Sequence, residues 1–229
     1  MTGAEVDPEV VSARVRALRS RIAAVTDLEV RIVAVTKGFG AGAVRAALAA
    51  GIHDIGENYA QELLDKHAAL AELAREVRWQ FIGRLQRNKV RALASVVSCW
   101  QTIDRDELAA ELSRRAPGAA VLVQLNLSGE PQKGGCPIDE APRLVARCSQ
   151  LGLEVRGLMG VGPAGPPERA RPGFRRLVAL ADELGLPERS IGMTADLEVA
   201  LEEGSTMVRV GRELFGPRPV RGGAAGPLA

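Results

Sequence analysis

A chain of 229 residues with 30 lysines and arginines against 28 aspartates and glutamates carries a formal charge of +2, a balance that argues against nucleic-acid and membrane-surface partners. Cys99, Cys136 and Cys148 are far apart, form no CxxC and are joined only by His53 and His67, which speaks against a metal site or a disulfide framework and for a reducing cytoplasm. The first residues carry Glu5, Asp7 and Glu9 with no apolar signal segment, and no apolar run approaches the length of a membrane span.

In chain order, Val10, Val11, Ala13, Val15, Leu18 and Ile22 recur at helical spacing behind Asp7-Pro8, a cap and first-turn pair, and predict a helix over 7–24. Arg31-Ile-Val-Ala-Val-Thr-Lys37-Gly38 is too short and too β-branched for a good helix and reads as a strand buried on both faces, with Lys37 at its carboxyl end. Ligands of parallel α/β folds bind at that end, so Lys37 is a candidate for chemistry; a solvated lysine closing a strand is the competing reading. The turn 38–42 opens a helix over 43–50 that Gly51 stops.

A second strand over 54–57 ends in Gly56-Glu57-Asn58-Tyr59 and leads to a helix carrying Gln61, Leu63, Leu64, Leu70 and Leu73. The third strand, 78–83, yields to Arg84, Gln86, Asn88 and Lys89 and a short helix to Ala94. The fourth lies within 96–103, with Asp104 expected to cap the next helix, which Pro117-Gly118 ends. The fifth, 120–127, precedes a polar loop over 128–137 and a helix over 138–150. The sixth, 154–161, enters Gly162 to Pro172, so rich in proline and glycine that a mobile loop is expected. A helix over 174–184, a seventh strand around 190–193, a helix over 195–203, an eighth strand over 206–210 and a helical turn over 213–215 follow. Residues 217–229 read as a disordered tail.

Eight strands, each followed by a helix, with no compositional break, is the sequence form of a single α/β domain over 1–216: a (β/α)₈ TIM-type barrel with an extra N-terminal helix. A doubly wound open sheet is the competing topology. Barrel closure would gather the strand ends on one face. Gly192-Met193-Thr194-Ala195-Asp196 and Arg209-Val210-Gly211 would then form the phosphate site that such barrels carry after strands seven and eight, ordinary caps and a turn glycine being the alternative. A lysine with a pKa of about 10.4 is only roughly 0.1% neutral near pH 7.4, so attack on a carbonyl requires burial beside another cation, such as Arg209. Lysine, phosphate cradle and arginine together suggest pyridoxal 5′-phosphate (PLP), held as a Schiff base. Cys99 and Cys148 read as buried small apolar residues, and Cys136 as a loop thiol open to solvent.

These motifs resemble those of the pyridoxal phosphate homeostasis proteins, a PLP-binding family with the barrel of the alanine racemase amino-terminal domain. The matching segments are Val33-Ala-Val-Thr-Lys37, Gly56-Glu-Asn-Tyr59 with Gln61-Glu62, Trp79-Gln-Phe-Ile-Gly83 with Leu85-Gln86 and Asn88-Lys89, Gln124-Leu-Asn126, Arg156-Gly-Leu-Met159, Gly192-Met193, and Gly204 to Gly211 with Phe215-Gly216. The resemblance implies that Lys37 forms the Schiff base, that Arg209 faces the pyridine nitrogen, that Asn58 lies near the ring, and that Thr194, beside Met193, and Gly211 lie at the phosphate. Arg212 stands where the family commonly has Ser or Thr, and its guanidinium can itself pair with phosphate. Gly38-Phe39-Gly40 replaces a second lysine, and Arg84 stands where proline is frequent.

An arginine opposite the pyridine nitrogen disfavours its protonation and weakens the ring as an electron sink. The related racemases take a second acid/base from a tyrosine on another domain, whereas this chain has the single tyrosine Tyr59. The resemblance thus implies a cytoplasmic carrier that stores, delivers or buffers PLP, with no catalytic residues and no metal, and with PLP-dependent apo-enzymes as recipients. The absence of an exposed apolar stripe makes a monomer the default. A PLP-dependent amino-acid racemase, or a barrel enzyme acting on a phosphorylated sugar through Lys37, are the alternatives.

Overall fold

The β-branched runs become the staves of a closed barrel, seen in a computed structural model that describes residues 6–130 and 134–218. The strands are β1 (Arg31–Val35), β2 (Asp54–Glu57), β3 (Arg78–Phe81), β4 (Val97–Ile103), β5 (Ala120–Leu125), β6 (Glu154–Gly160), β7 (Glu188–Ser190) and β8 (Met207–Val210). All neighbours pair in parallel, and β8 returns to β1 through the register Arg31 with Met207 to Ala34 with Val210. Around them lie α1 (Pro8–Val25), α2 (Ala41–Ala49), α3 (Ala60–Ala69), α4 (Arg87–Leu93), α5 (Asp106–Arg115), α6 (Ala141–Gln150), α7 (Arg171–Glu183), α8 (Leu197–Glu202) and α9 (Arg212–Phe215).

Helix α1 forms where its pattern places it: Asp7 accepts from the amides of Glu9 and Val10, Pro8 occupies the first turn, and Val11, Val15, Leu18 and Ile22 are buried. It packs on α2, α8 and α9 and covers the seam where the barrel closes. Strand alternation sends Ile32, Ala34, Val208 and Val210 outward into the core beneath the helices. Val33, Cys99, Leu122, Met159 and Met207 form a separate cluster inside the barrel.

A hydrogen-bonded chain also crosses that interior. Arg78 and Gln80 donate to Asp54, Gln101 donates to Gln80 at 2.9 Å, Ser190 donates to Gln101 at 2.7 Å, and Arg209 donates to Ser190 at 2.7 Å. Asp54, Gln80, Gln101, Ser190 and Arg209 are all buried, and the pairing offsets the cost of placing polar groups there.

Several expectations need correction. Strand β7 covers Glu188–Ser190, starting two residues and ending three residues earlier than 190–193, because Gly192 takes φ 96° and turns the chain out of extended conformation. Asp104 does not cap α5: Arg105 is the N-cap residue, and the Asp104 carboxylate bonds Arg105 and the Gly135 amide instead. The stretch 162–172 is not irregular throughout, since Pro167–Ala170 form a 3₁₀ turn and α7 starts at Arg171, with Pro172 in its first turn. Arg171 ties this segment down through Glu168, Glu202 and Glu203. Cys136 is buried beside β5, its amide donating to the Gln124 carbonyl, and burial pushes its thiol up to about 12. Of the expected tail, residues 219–229 lie outside the described residues, whereas Arg218 is described and belongs to the barrel mouth.

Candidate functional site

The carboxyl ends of the strands surround a cavity of about 380 Å³. Lys37 enters it from just past β1, Asn58 from just past β2, Met193 and Thr194 from the loop after β7, Arg209 from β8, and Gly211 and Arg212 from the β8–α9 junction. All seven residues expected from the sequence thus line one pocket. Asn58 is held there by a close approach that only glycine permits: a Cβ on Gly83 would fall 2.0 Å from the Asn58 carbonyl oxygen. Asp196 shapes the opposite wall by accepting from the Met193 amide at 2.7 Å, turned back into the loop; its side chain makes no capping bond to α8.

The pocket also contains residues not assigned from the sequence. Gln124 reaches it from β5 and Arg84 from beyond β3, and Arg218 comes back from beyond α9. Arg218 lies over the turn after Lys37, where a Cβ on Gly38 would meet its Cδ at 3.2 Å. No periodic signal marks Arg218, which sits among prolines and glycines.

The lining is cationic. Lys37, Arg84, Arg209, Arg212 and Arg218 contribute positive charge, and no Asp or Glu appears among the described lining residues. Burial is the main cause that lowers the Lys37 pKa below that of an ordinary lysine; Arg218 and Arg209 lower it further, and Glu57 and Glu62 oppose them. The Arg209 guanidinium donates to the Ser190 carbonyl, the Ser190 hydroxyl and the Gly160 carbonyl, all of them neutral acceptors. Burial brings it down to about 10, still far enough above neutrality to stay charged. The pocket can therefore bind an anion, and it presents an amine whose neutral form is more accessible than that of a surface lysine.

A larger groove of about 520 Å³ opens at the opposite, amino-terminal end of the barrel. Its arginines are engaged: Arg19 with the Gly51 carbonyl, Arg31 with Glu188 and Arg78 with Asp54. Its described lining residues offer no lysine and no free cationic wall, and His53 among them is hydrogen-bonded to the Glu76 carbonyl, so the chemistry belongs to the smaller pocket.

A barrel with its lysine and arginine placed in this way has the form of the alanine racemase N-terminal domain, and the model of that family matches residues 6–219. The pyridoxal phosphate homeostasis protein of Pseudomonas aeruginosa is 43% identical over 198 residues, spanning 82% of this chain and 85% of that protein. The human protein of the same name is 37% identical over 215 residues, spanning 83% and 78%. The structure of PipY of Synechococcus elongatus with PLP bound is similar at a TM-score of 0.79 and 32% identity, covering 90% of this chain and 100% of PipY. The chain belongs to the pyridoxal phosphate homeostasis protein family.

Proposed function

We propose that this protein holds PLP as a Schiff base on Lys37 and takes part in intracellular PLP homeostasis by storing, delivering or buffering the cofactor. The observation that carries this reading is a half-buried lysine of lowered basicity that shares a pocket walled by cations with a buried, charged arginine from the neighbouring strand. The residues present fit the cofactor. About 300–1,000 Å³ is usual for small-molecule pockets, and this one lies in that range. The Asn58 Oδ1 atom in its wall is buried without a hydrogen-bond partner. Thr194, Gly211 and Arg212 would hold the phosphate with Met193 beside them, Asn58 would lie near the ring, and Arg209 would serve its nitrogen.

Bound PLP supplies an aldehyde. Lys37 would be the amine that meets it, with the aldehyde oxygen released as water. Arg209, staying charged, would keep a proton off the ring nitrogen by repulsion. Holding is favoured over turnover because the described lining residues include no Tyr, His, Cys, Asp or Glu to serve as a second acid/base. Tyr59 is 58% exposed and lies outside the lining. In this reading the protein is a cytoplasmic monomer, and PLP-dependent apo-enzymes are the recipients; among the described residues no helix is long and apolar enough to cross a membrane.

Incubation with PLP tests the proposal: absorbance near about 420 nm should appear, and borohydride should fix the cofactor on Lys37, as read by peptide mass. A protein that stays colourless overturns it. Exchange of the alanine α-proton in D₂O at about 1 s⁻¹ or faster would instead favour the racemase.

A further inference from the structure

A lysine is buried directly behind Lys37, and the binding of PLP does not use it. Lys66, on α3, is 5% exposed. Its Nζ donates to the Thr36 carbonyl at 2.7 Å and forms an ion pair with Glu57 at the end of β2. Thr36 Oγ1 donates to the same Glu57 oxygen at 2.7 Å. One helical turn before Lys66, Glu62 accepts from the Gly38 amide at 2.8 Å and lies 3.8 Å from Lys66 Nζ. The carbonyl before Lys37 and the amide after it are therefore both held by charged groups from α3, and Lys37 is the residue between them.

A buried ion pair stabilises a fold no better than apolar packing of the same volume. Here Glu57 Oε2 is left buried without a hydrogen-bond partner, so the arrangement is not one of full polar satisfaction either. Burial pushes Glu57 up from the ordinary carboxylate value, against the pull of Lys66. The geometry is explained by what it restrains. Lys37 lies beyond the last hydrogen-bonded residue of β1, where the strand ladder alone does not fix its backbone. Fixing a nucleophile within reach of its target lowers the barrier to bond formation, and small displacements forfeit much of that gain.

We propose that Lys66, Glu57 and Glu62 are positioning residues for Lys37, clamping the peptide groups on either side of it so that its amine projects into the barrel mouth. The clamp rests on the reading of Lys37 as the PLP anchor. It also sets the charge around the amine, since Glu57 and Glu62 oppose the effects of Arg218 and Arg209.

The test uses the full chain with E57Q/K66M, which keeps volume and neutrality, and E62A, whose side chain is 20% exposed. The first readout is independent of PLP. In cofactor-free protein, trinitrobenzenesulfonate labelling at a series of pH values, resolved by peptide mass, separates Lys37 from Lys66, Lys89 and Lys133. Hydrogen exchange reports the Gly38 amide. E62A should speed Gly38 exchange at least about tenfold and move the Lys37 labelling midpoint to lower pH, because a negative charge is gone. With PLP, E57Q/K66M should form the covalent bond at least about tenfold more slowly at an unchanged melting temperature, and K66R should recover part of the rate. Wild-type Gly38 exchange and Lys37 midpoint in E62A overturn the clamp, and so does a folded double variant that forms the bond at the wild-type rate. If the double variant does not fold, E62A decides alone. Wild-type protein that forms no bond with PLP overturns the function proposed above, and the cofactor-free measurements still judge the clamp.

Discussion

At the amino ends of the strands Arg31 pairs with Glu188 at 3.1 Å, Arg78 with Asp54 at 2.7 Å and Arg156 with Glu154 at 2.9 Å, whereas at the carboxyl ends five cationic side chains share one pocket with no carboxylate among its described lining residues. The base of the barrel has cancelled its own charge and has nothing to gain from a ligand. The mouth keeps like charges together at a cost in self-repulsion, which an incoming anion relieves. A polar chain through the interior, from Asp54 to Arg209, joins the two ends.

The contrast can be broken most severely at Gly83. Gly83→Ala would drive a Cβ to 2.0 Å from the Asn58 carbonyl oxygen, and a loss of about 3–5 kcal/mol is expected in urea unfolding. Gln101→Leu leaves the Ser190 hydroxyl and the Gln80 carbonyl without their partner inside the barrel. A loss of about 1–3 kcal/mol should appear in the same measurement, with weaker PLP binding because Arg209 loses its support. Removing charge at the mouth should do the reverse to stability: Arg212→Ala with Arg218→Ala should leave the melting temperature level or higher while weakening binding of inorganic phosphate about tenfold.

A gentler change sharpens the electrostatics. Arg218 is the first of the charged neighbours that lower the Lys37 pKa, so Arg218→Ala should raise that pKa toward the ordinary lysine value. The neutral amine then appears only at higher pH, and covalent capture of PLP at neutral pH should slow, as read by stopped-flow absorbance. The smallest effect belongs to the base. Arg31 is 42% exposed at its side chain, and Arg31→Ala should cost only about 0.2–1 kcal/mol in unfolding with no change in PLP binding.

What could be read in the chain before folding follows the same division. Asp54–Glu57 was placed to the residue, and α1 was announced by Asp7-Pro8 and the spacing of Val11, Val15, Leu18 and Ile22. The mouth residues were found because strand ends converge once a barrel is assumed. Strand β7 was misplaced because Ile191 and Met193 are more apolar than Glu188 and Arg189, whose charges are spent on Arg31 and Asp182 at the base. No local pattern singles out Lys66, which is buried on the helix that packs against β2. Arg218 was hidden by a composition typical of tails, and its role as a wall of the pocket depends on a turn back over Gly38 that no local pattern encodes.

The chain through the barrel has a direction. Every donor points toward the base: Arg209 to Ser190, Ser190 to Gln101, Gln101 to Gln80, Gln80 to Asp54. Two of its links are carboxamides, which neither gain nor lose protons at neutral pH, so no proton can hop along it. The interior transmits alignment and carries no proton relay: the guanidinium at the mouth and the carboxylate at the base are joined by side chains that pass no proton between them.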